Sequence, residues 1–123
     1  MLRANQKLTA TEGIGFGVLA GVILLAAEMV AWGPGAPLRM SASLVLGAHV
    51  LDSSLGTTYL AGLVVHLVLA GVFGLGYAEI EARLPGEARR RYGIEIGIAA
   101  AYAALVWLGN VELVAPAIFP WFI

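Results

Sequence analysis

The chain has 123 residues, of which 60% are hydrophobic and 12% charged, and a formal net charge of −1. A soluble domain is typically about 25% charged, and a chain this short cannot hide so much apolar surface from water, so water is not its main solvent. The near-neutral balance excludes a nucleic-acid partner held by bulk electrostatics, and the lack of cysteine excludes disulfides, thiolate metal sites and cysteine nucleophiles.

The expected fold is all-α and membrane-integral, one transmembrane domain over residues 1–123 with three spans. A span needs about 20 mainly apolar residues. The first, Gly13–Trp32, reads GIGFGVLAGVILLAAEMVAW. Its apolar run exceeds the roughly 7–15 residues of a signal-peptide core and no clean small-residue cleavage site follows, so it is read as a retained span. Gly13, Gly17 and Gly21 form a row at four-residue spacing, and Glu28 follows two turns later on the same face. Pro34 and Pro37 then break the chain. Met40–Leu51 is too short to cross a bilayer and is expected to be an interfacial or re-entrant helix. Arg39 precedes it, His49 lies within it and Asp52 follows.

The second span, Leu55–Ile80, carries the longest row: Thr58, Gly62, His66, Ala70, Gly74 and Ala78. The loop RLPGEARRRYG holds Arg83, Arg89, Arg90 and Arg91, a group suited to anionic lipid headgroups at the inner leaflet. Glu79, Glu81 and Glu95 flank it and are expected to pair with its arginines at exposed contacts. The third span, Gly93–Ala115, has Gly93, Gly97, Ala101 and Ala104 at similar spacing, with Asn110 and Glu112 near its end. Trp32, Tyr59 and the tail APAIFPWFI suit an outer aromatic belt, and Tyr77 and Tyr92 an inner one.

Charge sets the orientation. Arg3, Lys7 and the arginine loop fall on one side only if the chain crosses three times. Lys and Arg collect in cytoplasmic loops, so the N-terminus is expected inside and the C-terminus outside.

Lipid does not drive apolar helices together, so membrane helices associate through close backbone approach at small residues. The three rows predict a tightly packed three-helix core. They also turn Glu28, His66 and Glu112 inward, because a charge in hydrocarbon is costly and marks function by default. Together with Arg39, His49, Asp52 and Asn110 these residues are expected to form an outward-facing polar cluster with His66 at its floor.

Several roles stay open for these groups. His66 is either a structural imidazole donating to a carbonyl or to Thr58, an axial ligand to haem or a chlorophyll-type pigment with Gly62 making room for the macrocycle, or a proton-relay or metal residue. Glu28 and Glu112 are either bonded to Arg39, which would lock the short helix onto the bundle, or proton carriers, or ligands. The Glu-x-x-His spacing of di-metal sites is absent, so no metal and no firm cofactor is expected. No Walker or dinucleotide fingerprint occurs, and Asp52 is the sole aspartate, so no Ser–His–Asp order can be assembled and no enzymatic activity is expected.

The run GAPLRMSASLVLGAHVL, placed after AEMV and before LAGLVVHLVLAGVFGLGYA, resembles a pattern in small uncharacterised bacterial polytopic inner-membrane proteins. The resemblance implies a glycine-rich bacterial inner-membrane protein and no particular activity. The residues themselves lead to a non-enzymatic accessory or structural subunit of a larger membrane complex, with an energy-transducing assembly the expected host. One alternative is a small homo-oligomeric transporter or proton-coupled channel lined by Glu28, His66 and Glu112. Another is a haem- or pigment-binding protein acting through His66.

Overall fold

A computed structural model describes residues 8–86 and 92–114. Those residues are helical, with no strand among them. Helix α1 spans Ala10–Trp32. Its start is fixed by a capping box: the Glu12 amide donates to Thr9 Oγ1 at 3.1 Å, and the Thr9 amide donates to Glu12 Oε1 at 3.1 Å. It ends at Gly33, whose φ of +88° suits glycine, and Pro34 follows.

Helix α2 spans Gly35–Leu46 and passes into a 3-10 turn, Gly47–Leu51. The sequence places this helix at Met40–Leu51; it starts five residues earlier and stops five earlier. Pro37 does not break it because it sits in the first turn, where the missing amide hydrogen has no helical partner to lose. Gly47, at φ +57°, ends it.

Helix α3 spans Leu55–Ala82, begun by Ser54, whose hydroxyl accepts the Thr57 amide at 3.2 Å. Helix α4 spans Tyr92–Leu108 and continues as a π turn, Gly109–Val114. Two of these helices, α1 and α3, are long and apolar enough to cross a membrane.

The molecule is built on an antiparallel α1–α3 hairpin, with α2 laid across the first half of α3. The small rows make the hairpin: a Cβ on Gly17 would run into the Ala70 carbonyl and stand 2.6 Å from Gly74 Cα. Gly13 faces Gly74 and Ala78, and Gly21 faces Ala70. Further along, Gly62 lies against the Leu38 carbonyl, so backbone contact seats α2 as well.

The third row behaves differently. Gly93, Gly97, Ala101 and Ala104 are exposed, and a Cβ on Gly93 or Gly97 would meet nothing. The expected three-helix core is therefore a two-helix core plus α2. Helix α4 instead leans on α3 through Tyr102, whose hydroxyl donates to the Phe73 carbonyl at 2.6 Å and whose ring lies 5.4 Å from that of Tyr77.

The distribution of side chains follows from this packing. Buried apolar residues are few: Leu25, Leu38, Ala42, Val50 and Ala78. The large ones, such as Phe16, Ile23, Val30, Leu60 and Leu105, point outward, with Val30 88% exposed.

Candidate functional site

His66 lies at the middle of α3, where the row changes partner from α2 to α1. Its Nε2 is 2.8 Å from the Gly21 carbonyl. A carbonyl only accepts, so Nε2 carries the hydrogen and donates. The imidazole thus ties α3 to α1, and axial ligation through Nε2 would require breaking that bond. Glu28, one turn beyond Leu25 on α1, is half-buried and within electrostatic reach of His66. No ion pair joins the two among the described residues.

The other members of the expected polar cluster are dispersed. Asp52 and His49 are exposed; the His49 carbonyl accepts the Ser53 hydroxyl at 2.8 Å. Asn110 donates to the Val106 carbonyl of its own helix at 2.9 Å, and Glu112 is exposed in the π turn. The cluster fails to form because α4 meets α3 near Phe73 and Tyr77, in the half of α3 beyond His66. Among the described residues, no group of three or more His, Asp and Glu is placed to hold a metal ion.

Arg39 does not lock α2 to an acid, since no described carboxylate pairs with it; backbone packing of Leu38 on Gly62 does that instead. The Arg39 side chain and the Tyr59 hydroxyl both border Gly35: a Cβ there would stand 3.1 Å from that oxygen and 3.9 Å from Arg39 Nε. Arg39 also lines a cavity of about 110 Å³ with Val50, Leu51, Ser53, Leu55 and Thr58.

Glu81 departs furthest from the sequence expectation. It is 2% exposed, not a surface partner for the arginines. Its Oε2 accepts the Leu8 amide at 2.8 Å, just ahead of the α1 cap. That places a carboxylate at the positive end of α1 and brings the start of α1 and the end of α3 together. The sequence signal was available: Glu81 follows Ala78 by three residues and continues the packing row. Glu79 does pair with an arginine as expected, 3.4 Å from Arg83 at the surface. Such an exposed pair is worth little. Arg89, Arg90 and Arg91 lie outside the described residues, as do Arg3, Lys7 and the aromatic tail.

No family model, no curated protein and no solved structure matches the chain.

Proposed function

We propose that the chain is a non-enzymatic accessory subunit of a larger membrane protein complex, crossing a bacterial inner membrane three times. The observation that carries this is the bare Gly93, Gly97 and Ala101 row of α4. In a bilayer, rows of this kind are where helices meet, and the other described helices of the chain do not use it. The outward-facing leucines, isoleucines and valines of α1 and α3 support a hydrocarbon solvent. Helix α4 rises about 26 Å over its 17 residues, and the π turn brings it close to the roughly 30 Å of a hydrocarbon core.

The contact between Leu8 and Glu81 supports an orientation with the N-terminus and the arginine loop together on the cytoplasmic side. Lipid and the helices of other subunits are then the partners.

Gly97→Leu tests the docking row. The site is open, so the variant should fold and insert as the parent does. Native mass spectrometry from mild detergent should show the parent bound to unrelated chains and the variant without them. A parent that runs alone, or a variant that keeps its partners, defeats the proposal. A closed homo-oligomer whose ion flux in proteoliposomes is abolished by Glu28→Gln would establish the transport alternative instead.

A further inference from the structure

Glu28 is an acid inside an apolar helix, and its counter-charge is missing among the described residues. It lies about 27 Å beyond the start of α1, at a rise of about 1.5 Å per residue, and one turn short of Trp32. It is half-buried, and its neighbours along the same stripe, Leu24, Ala31 and Trp32, are all exposed. His66 is within electrostatic reach, but its Nε2 hydrogen is committed to the Gly21 carbonyl. Among the described residues the one side-chain ion pair joins Arg83 and Glu79, so neither His66 nor Arg39 neutralises Glu28.

The other basic residues of the chain are too distant in sequence to reach it. There are seven lysines and arginines, and all except Arg39 adjoin the opposite end of the hairpin. Arg83 follows the last residue of α3, which the Leu8–Glu81 bond holds beside the start of α1. Arg3 and Lys7 precede Leu8, and a five-residue segment spans at most about 18 Å. Arg89, Arg90 and Arg91 directly precede α4. That helix begins at the same end: its Glu95 is within electrostatic reach of Tyr77, while Tyr102, further along, bonds Phe73. Residues 115–123 contain no lysine or arginine. The counter-charge for Glu28 therefore has to come from another molecule.

We propose that Glu28 pairs with a lysine or arginine carried by a membrane-spanning helix of a partner subunit, packed along the stripe of Leu24, Glu28 and Trp32. The inference rests on the reading of the chain as a membrane subunit and specifies what its partner carries on this face. A charge within hydrocarbon is costly, and such residues pair with one another. Acyl chains offer no counter-charge. Glu28 lies one turn inside the end of α1, a depth at which a neighbouring helix can hold a basic side chain in place. The exposed Leu24 and Trp32 supply the apolar margin that keeps water from such a pair.

The whole chain is reconstituted in phosphatidylcholine vesicles with a synthetic membrane-spanning peptide of leucine and alanine. The peptide carries one lysine a turn from an end labelled with a dansyl acceptor, and a control peptide has leucine in its place. Energy transfer from the chain's own tryptophans, with Trp32 one turn from Glu28, reads association. The lysine peptide should saturate the transfer at a roughly 5- to 10-fold lower peptide-to-lipid ratio than the leucine peptide. Glu28→Gln, which keeps the shape and removes the charge, should bring the two peptides level, and Glu28→Asp should keep part of the difference. Circular dichroism of each variant checks that the helices persist. Equal transfer from the two peptides to the parent overturns the proposal, as does a lysine preference that survives Glu28→Gln. The assay needs no natural partner and does not involve the α4 row, so its failure leaves the docking role of α4 standing, and Gly97→Leu should not change the lysine preference.

Discussion

Gly17→Leu is expected to separate α1 from α3. The two helices touch through backbone at this crossing, with Gly74 Cα 2.6 Å and Gly74 N 2.9 Å from where a Cβ on Gly17 would lie. A flexible side chain could swing away, but backbone cannot. Inserting even a few methylenes into packed space commonly costs 1–3 kcal/mol, and here the whole helix must move, so the loss should reach at least about 3 kcal/mol. It takes the His66 bond to Gly21 with it, because that bond spans the same interface. The chain has no native cysteine, so cross-linking reads the hairpin without background. Ile14→Cys with Gly71→Cys is a suitable pair, since Ile14 Cγ2 stands 3.4 Å from where a Cβ on Gly71 would lie. The pair should cross-link efficiently alone and drop to background when Gly17→Leu is added. Equal yields would mean that the glycine crossing does not hold the hairpin.

Glu81→Ala is expected to produce the second largest loss, about 1.5–3 kcal/mol. The carboxylate is buried and accepts the Leu8 amide at 2.8 Å. Removing it leaves that amide unpaired and takes a negative charge from the positive end of α1. Glu81→Gln keeps an acceptor oxygen and should lose much less. The two variants are compared by denaturation in mixed micelles and by hydrogen exchange in the first turn of α1. Faster exchange there in Glu81→Ala alone is the expected signature. An unaltered denaturation midpoint for Glu81→Ala would remove the carboxylate from the list of ties between α1 and α3.

The hairpin was readable in the sequence because glycine at four-residue spacing carries its own physical consequence. Gly13, Gly17 and Gly21 lie where the row predicts, against Ala70, Gly74 and Ala78. Gly93 and Gly97 have the same spacing and meet nothing among the described residues, and Ala101 is exposed. Spacing shows that a helix can be approached closely; it does not say whether a helix of the same chain does so. Tyr102, a single aromatic with a hydroxyl, decides where α4 attaches, and no periodicity announces it. Helix α2 begins ahead of Pro37, which the pattern presents as a break, because in the first turn that proline is harmless. Glu81 borders an arginine-rich loop, which suggests the surface, while its position on the row argues for the burial it has. The expected polar cluster depended on α4 packing along its own row, so it dispersed once α4 attached elsewhere.

In the membrane-spanning role proposed above, the locked hairpin has a consequence for bilayer thickness. Helix α1 has 23 residues and α3 has 28, rises of about 35 and 42 Å against a hydrocarbon layer of about 30 Å. Neither helix can adjust alone, since sliding one past the other would drive Ala70 and Gly74 into Gly17. In that setting the hydrophobic mismatch would be absorbed by tilting the pair as one body or by carrying its ends into the headgroups. In thin and thick membranes the same rigid pair would therefore stand at different angles, and α4 would lean with it.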